Sequence, residues 1–588
     1  MFKNHLKVGF RNLLRNKSYS LINVAGLAMG FSIAILIALW VNDEITFNQY
    51  HTNYDRVVQV MQHRTVDGEK RTQQAIPMPL GDELRQKYGE DFDHVVMSSR
   101  PHQQILNFSK KSIIASGIFM EEGALEMLSL KMIKGSWDAL QESNSIVLSE
   151  SRARALFGDG LGHNETIQIA NRLNVVVTGV FEDLPYNTEF NDLSFISTWD
   201  LYVSSNPRRR AAKANPDWRN ASYLLYAQLG KNADLEGVNN RIEKVKHFNL
   251  AEEHRIFNSE VFLHPMSDWR LRSNWVNGQK TGGLETYVWL FGIVGVFVLT
   301  LACINIVNLS TASSERRSRE VGVRKAKGSL KFQLISQFLT ESLLLVFLAF
   351  VCAVVFSVLL LPFFNGLAGK QLSFPFFESS FWIVSLVVLI ITSILAGGYP
   401  AFYLSSFQPV KVLRGVFSAR QGSSLLRKAL VVFQFTVSII LIVGTLVVND
   451  QIQYAKERSI GYDPEGLIMM SMRTRDFHTH QDFLRTELKK VGAIESMALS
   501  SGPITDVWHN ASGYTWAGKD PAFNPQMAHL RVPQEYGKTL NWKVIEGRDF
   551  KAGYASDSAA VLLNEEAVAY LGFENPLGKV INWSEQGH

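Results

Sequence analysis

Long apolar runs alternate along this chain with much longer mixed stretches, and the alternation sets the expected architecture. Five runs carry no charge: Leu21 to Val41, Tyr287 to Leu309, Leu343 to Leu361, Phe381 to Phe402, and Ala429 to Val448. At 1.5 Å per helical residue, about twenty residues cross the ~30 Å hydrocarbon layer, so each run predicts a membrane-spanning helix. The mixed stretch Asn42 to Glu285, about 240 residues, is too long for a loop and predicts a folded domain. Within it, alternating runs flank Asp67-Gly68, a hairpin signal, and "LNVVVTGVF" from Leu173 predicts a buried strand. "LGDELRQKYG" from Leu80 and "ADLEGVNNRIEKV" from Ala233 predict helices, the second capped by Asn232 or Asp234. The expected fold class is a polytopic α-helical membrane protein with large mixed α/β extracytoplasmic domains.

The two mixed stretches resemble each other, which changes the picture more than any single motif. "LKMIKGSWDA...SIVLSESRARALFG" from Leu130 matches "WKVIEGRDFK...AVLLNEEAVAYLG" from Trp542, with Gly135 opposite Gly547 and Ser149-Glu150 opposite Asn564-Glu565. The span before each ends alike, in "WVND" at Trp40 and "VVND" at Val447. We read a tandem repeat of a one-span, outside-domain, three-span unit. A complete second unit would give about 800 residues and eight spans, so the sequence in hand is expected to be C-terminally truncated. The expected layout has an amphipathic helix at 1–20, spans at 21–41, 286–309, 334–361, 381–403 and 429–448, and outside domains at 42–285 and, incomplete, at 449–588. A basic cytoplasmic segment occupies 310–333, a short outside loop 362–380 and a cytoplasmic linker 404–428.

Charge orients this layout. Residues 1–20, 310–333 and 404–428 hold 17 of the 59 basic residues and 2 of the 54 acidic ones. Excess Lys and Arg mark cytoplasmic segments, so the N-terminus is expected inside and both large domains outside. The remainder is net acidic, and the overall charge of +5 is no evidence for nucleic acid binding. Tyr19, Trp40, Tyr287, Trp289, Trp382 and Tyr403 stand near the expected span ends, as interfacial aromatics do. The first run is too long for a signal-peptide core, and "WVNDEITF" after it offers no small-residue cleavage site, so it reads as an uncleaved anchor. Cys303 and Cys352 both fall inside expected spans and read as small packed residues.

Few motifs carry chemistry. The N-terminal segment sets Phe2, Leu6, Phe10 and Leu13 on one helical face and Lys3, Lys7, Arg11 and Arg15 on another, a pattern for a helix lying on the inner membrane surface. Gly26 and Gly30 form a small-xxx-small pair suited to close packing against another span. After the second span, Glu315, Arg316, Arg317, Arg319, Glu320, Gly322, Arg324, Lys325, Lys327 and Gly328 make a basic helical stalk and its end, with Glu320 placed to pair Arg324 one turn on. So many cations exceed what orientation needs and suggest a docking surface. The spans are read as lacking ionisable groups, Asn23, Asn305 and Gln434 being their notable polar residues, which disfavours an ion-coupled transporter. No cytoplasmic segment is long enough for a kinase. His478 and His480 form a lone His-x-His, read on a strand or turn, and no metal site is assigned to them. The sequence contains no Walker A pattern, Gly-x-Ser-x-Gly elbow or His-Glu-x-x-His, and the chain is not expected to be an enzyme by itself.

"NLSTASSERRSREVGVRKAKGS" from Asn308 resembles the signature after the second span of MacB/FtsX-type ABC transporter permeases, its core matched by Glu320, Val321, Gly322, Val323 and Arg324. "QFLTESLLL" from Gln337, "GGYPAFYLSSFQPVKVLRG" from Gly397 and "FRNLLRNKSYSLINVAGLAMG" from Phe10 fit the same pattern, particularly that of the large tandem permeases of Bacteroidetes-like bacteria, while Lys327 departs from it. The resemblance implies a MacB-like outside domain, a bacterial inner membrane location with periplasmic domains, and a coupling helix that docks on a separate ABC ATPase. ATP and Mg would be bound by that partner, with no cofactor in this chain. Besides the ATPase and the lipid bilayer, a periplasmic adaptor and a second permease chain are candidate partners. The implied function is a permease subunit that exports or extracts antimicrobial compounds, peptides or lipoproteins; the alternative is an FtsX-like transmitter of signal or force to a cell-envelope partner.

Overall fold

The structure, a computed structural model, describes residues 2–15, 17–66, 68–405, 421–521, 523 and 525–583. It divides into two units, Met1–Thr46 with Gly283–Glu457 and Phe47–Gly282 with Arg458–His588.

Among the described residues the first unit holds five helices long and apolar enough to cross a membrane. They run over Lys17–Ile45, Leu284–Ala326, Lys331–Ala368, Ser379–Ser405 and Gln421–Glu457. Each exceeds its apolar run because helical polar residues continue it at one or both ends. Leu27, Phe31 and Ile35 of the first helix share a core with Leu345, Val346, Ala349, Phe350 and Ala353 of the third. Without a hydrophobic drive inside lipid, such contact depends on small residues that let backbones approach. A Cβ on Gly30 would stand 2.7 Å from Ala302 Cβ of the second helix, and one on Gly26 3.5 Å from the Asn305 amide nitrogen. Gly397 of the fourth helix serves the third likewise, since its Cβ would lie 2.4 Å from Ser342 Oγ. The fifth helix differs: 6 % of its apolar stretch is buried, against 39 % for the first.

An N-terminal helix spans Phe2–Arg15. Its Leu13 is buried in the same core as Leu27 and Phe31, while Phe10 is exposed. The side chains of Phe2, Lys3 and Leu6 lie outside the described residues. The reading of spans without ionisable groups is corrected at Glu341, which is buried in the third helix. That helix begins at Lys331, so Glu341 lies on its packed part although the uninterrupted apolar run starts only at Leu343.

The second unit is dominated by one sheet of 13 strands: β1 Val57–Val66, β2 Glu69–Gln73, β3 Ile76–Pro77, β4 Phe92–Ser98, β5 His102–Phe108, β6 Lys111–Met120, β7 Met132–Lys134, β8 Ser145–Ser149, β9 Thr166–Ile169, β10 Leu173–Phe181, β11 Phe195–Thr198, β12 Ala221–Leu229 and β13 Glu260–Pro265. The order is β11-β8-β10-β9-β5-β6-β4-β12-β1-β13. Because β11 also pairs β6, the first six strands close on themselves and enclose Leu106, Phe119, Ile146, Leu148, Val175, Val177 and Phe195. The expected hairpin is β1–β2, with Val66 opposite Glu69 and Gly68 at φ +79°. Helix Leu235–Ile242 is capped by Asp234, whose carboxylate accepts from the Gly237 N–H at 2.8 Å. The chain entering β1 is held by Asn48 and His51. Asn48 Oδ1 accepts from Thr188 Oγ1 at 3.0 Å and from the Glu189 N–H at 2.8 Å, and His51 Nδ1 meets the Leu128 carbonyl at 2.6 Å.

Residues 458–583 are built differently, with short helices and two-residue ladders such as Tyr514–Thr515 with Asn582–Trp583. His478 lies on a short helix, Arg475–Thr479, rather than on a strand or turn, and His480 follows it with Nδ1 3.0 Å from the Asp476 carbonyl. Among the described residues no group of three metal-ligating side chains could hold an ion.

Candidate functional site

The basic segment folds as a helical hairpin. The second spanning helix does not stop at its apolar end, Leu309, but continues unbroken to Ala326, roughly 25 Å further at 1.5 Å per residue. Glu315, Arg316, Arg317, Arg319, Glu320 and Gly322 all lie on this extension. Their side chains are outside the described residues, and so is the expected Glu320–Arg324 pair.

The end of the hairpin is described in full. Ser329 N–H donates to the Arg324 carbonyl at 3.1 Å and Gly328 N–H to the Lys325 carbonyl at 3.0 Å, with Gly328 at φ +96°. This is a Schellman closure, which needs a left-handed residue just past the helix and so favours glycine there. The third helix then starts at Lys331, and Gln333 Oε1 accepts from the Leu330 N–H at 3.2 Å. Arg324 Nη1 donates to Gln337 Oε1 at 2.7 Å, tying the two arms across the turn. Burial, with the Lys331 charge added, pushes the Lys325 ammonium below its ordinary value. Val321 is buried, whereas Val323, Leu330 and Phe332 are exposed, Phe332 by 78 %.

Val323 belongs to the signature read from sequence, whereas Leu330 and Phe332 were not singled out there. Leu330 and Phe332 interrupt a run of lysines, Lys325, Lys327 and Lys331, and this interruption was the available signal. A rigid turn presenting apolar side chains among cations can seat in a groove of a protein partner and be steered there by charge. Of the other residues singled out, Gly26 and Gly30 lie apart from the hairpin, on the first helix facing Asn305 and Ala302. Of two open clefts in the outside unit, that of 540 Å³ lined by Ser143, Asp200, Arg210 and Lys213 holds none of the expected residues, and the other is lined by His478 together with Arg172, Arg210 and Arg473.

Comparison with known proteins matches part of each unit. Residues 20–245 match the MacB-like periplasmic core domain, and residues 292–409 match the FtsX-like permease C-terminal domain. The chain is similar to the macrolide export ATP-binding/permease protein MacB of Bradyrhizobium diazoefficiens, 29 % identical over 32 % of this chain and 30 % of that protein. The MacB protein of Pasteurella multocida is 22 % identical over 52 % of this chain and 44 % of its own length. The chain thus spans less than half the length of these curated relatives. The solved periplasmic region of MacB from Actinobacillus actinomycetemcomitans aligns with 35 % of this chain and 88 % of its own at 17 % identity, with a TM-score of 0.25. With the one domain on the first spanning helix and the large sheet, and the other on the three helices that follow, this membrane protein belongs to the MacB/FtsX-type ABC transporter permeases.

Proposed function

We propose that this chain is the permease subunit through which a separate ABC ATPase drives motion of periplasmic domains. The observation that carries the reading is the unbroken helix from Leu284 to Ala326, closed by a rigid turn that exposes Val323, Leu330 and Phe332 beside Lys325, Lys327 and Lys331. A continuous helix transmits a push along its axis, and the exposed turn offers the motor a place to push. In this reading Glu315, Arg316, Arg317, Arg319, Glu320, Gly322, Arg324 and Gly328 belong to the docking element, with ATP and Mg held by the partner. The basic segments and the N-terminus then face the cytoplasm, and the outside domains expel or extract a cargo on the far side of the inner membrane.

The cargo class follows from the relatives by analogy: a macrolide-like compound, an antimicrobial peptide or a lipoprotein. The two related segments support a tandem layout as well. Gly135 and Gly547 sit at φ +80° and +83°, and each is followed by a helix, Glu150–Phe157 and Glu565–Leu571, that stops on a glycine. The test is co-purification of the full chain with the ATPase encoded beside it. Val323→Asp with Phe332→Asp should abolish capture while leaving membrane insertion intact; undiminished capture by that variant would overturn the reading. A stably bound envelope hydrolase in place of an exported cargo would identify the chain as an FtsX-like transmitter.

A further inference from the structure

Two acids stand where a helix is least hospitable to them. Asp43 and Glu44 occupy the last turn of the first spanning helix, whose C-terminal end already carries negative partial charge. Their side chains are 6 % and 2 % exposed, and both reach Lys370, itself 8 % exposed: its Nζ lies 2.6 Å from Asp43 Oδ2 and 2.9 Å from Glu44 Oε1. Ions taken out of water are unfavourable unless well paired, and apolar side chains would often fill such a joint with equal or greater stability. What an ion cluster adds is a single register, since the partners bind in one geometry only.

Lys370 is presented by a stiff loop between the third and fourth spanning helices. The third helix ends on Gly369 at φ +61°, and the Lys370 N–H donates to the Asn365 carbonyl at 3.0 Å. The Asn365 side chain clips the chain further on, donating to the Leu372 carbonyl at 2.9 Å and accepting from its N–H at 3.1 Å. Trp382 Nε1 donates to the Phe376 carbonyl at 2.9 Å, and Phe374 meets Phe381 edge-on at 5.2 Å. Along their length the same first and third helices touch through Phe31 and Phe350, 5.9 Å apart, and through Ser357 Oγ, 3.2 Å from Ser32 Oγ. Lys370 therefore joins two bodies that are each rigid.

We infer that Lys370 is a positioning residue: it locks the outer end of the first spanning helix to the loop between the third and fourth, so that the two move as one piece. The joint stands on geometry alone, and only its mechanical purpose rests on the reading under Proposed function. The repeated "VVND" at Val447 lacks half of it, since Gln451 follows Asp450 where Glu44 follows Asp43, and the fifth helix runs on to Glu457 without a break.

The test places nitroxide labels at Ile45→Cys and Glu378→Cys in a Cys303→Ala, Cys352→Ala background of the full chain in lipid nanodiscs with its ATPase, and reads the distance with and without ATP. The expected result is one narrow distance that nucleotide does not change, and a distribution at least twofold broader in Lys370→Met. Asp43→Asn/Glu44→Gln/Lys370→Met leaves none of the three groups charged, so the distance should stay broad there too, although no acid is left facing a missing cation. A wild-type distance that shifts with ATP, or a Lys370→Met distribution as narrow as wild type, would overturn the inference. If no ATPase binds, the functional reading fails, yet the width in Lys370→Met still decides the joint.

Discussion

The segment Ser145–Ser149 and its counterpart Ala560–Asn564 have similar sequences and different structures. The first is β8, buried throughout, antiparallel to β11 on one side and parallel to β10 on the other. The second is largely exposed and pairs with no strand among the described residues. Everything local around them agrees: a left-handed glycine upstream, a helix directly after, a glycine ending that helix. A helix and a turn satisfy their hydrogen bonds within a few residues, whereas a strand takes its partners from elsewhere in the chain. Both partners of β8 follow it in sequence. Short-range signals thus act in both regions, and among the described residues only the first is completed by a sheet.

Four substitutions can break or sharpen this contrast. Gly135→Ala should be the most damaging, because its Cβ would meet the Thr178 carbonyl oxygen at 2.5 Å and Gly179 Cα at 3.0 Å, backbone that cannot step aside, at φ +80°. Left-handed strain and overpacking together predict a loss of roughly 3–5 kcal/mol, read as a fall in the melting temperature of the detergent-solubilised chain.

The next effect is pH-dependent and belongs to the large sheet. Lys246 is fully buried and donates to Gln62 Oε1 at 2.6 Å; burial, then the Arg64 charge, pushes its ammonium down to about 7, with Asp217 opposing. An unfolded lysine titrates near 10.4. Between those values the unfolded state holds a proton that the folded state lacks, so stability rises from about pH 7 to about pH 10 and is flat below. Lys246→Met should flatten that rise and gain on the order of 2 kcal/mol at pH 7, measured by denaturant unfolding at unit pH steps.

Gly547→Ala should cost about 1 kcal/mol, the left-handed term alone, because at φ +83° its Cβ meets only the end of the Leu577 side chain, at 3.0 Å. If it proves as damaging as Gly135→Ala, the second region is as tightly built as the first. The smallest effect is at Asp557, where hydrogen bonds from Arg548 at 2.6 and 2.8 Å and from the Lys551 N–H hold the carboxyl well below its usual range. Its contribution is present above the ordinary carboxylate range and lost only in strong acid, as pH falls through the lowered value. Asp557→Asn should therefore alter acid unfolding slightly and leave the alkaline side unchanged.

What the sequence disclosed follows the same division. The β1–β2 hairpin at Gly68, the Asp234 cap and the Gly328 turn are encoded within a few residues, and each was legible or marked by a glycine. The closure of β6 against β11 and the Lys370–Asp43 contact join residues far apart in the chain, and no local pattern announces them. At the hairpin, charge drew attention to Arg316, Arg317, Arg319 and Lys325, while Leu330 and Phe332 fell inside the basic segment 310–333 with no role of their own. Glu341 was missed for the complementary reason: a charged residue beside a long apolar run is easily taken as its boundary rather than as part of the packed helix.

The central claim is that the basic hairpin is the contact through which a motor acts. It is tested most directly by ATP hydrolysis with the adjacent ATPase reconstituted in lipid with the full chain, comparing wild type with Glu320→Lys/Arg324→Glu. Wild type is expected to change the hydrolysis rate several-fold, and the variant, inserted to the same level, to leave it at the rate of the ATPase alone. Equal rates with both proteins would contradict the claim.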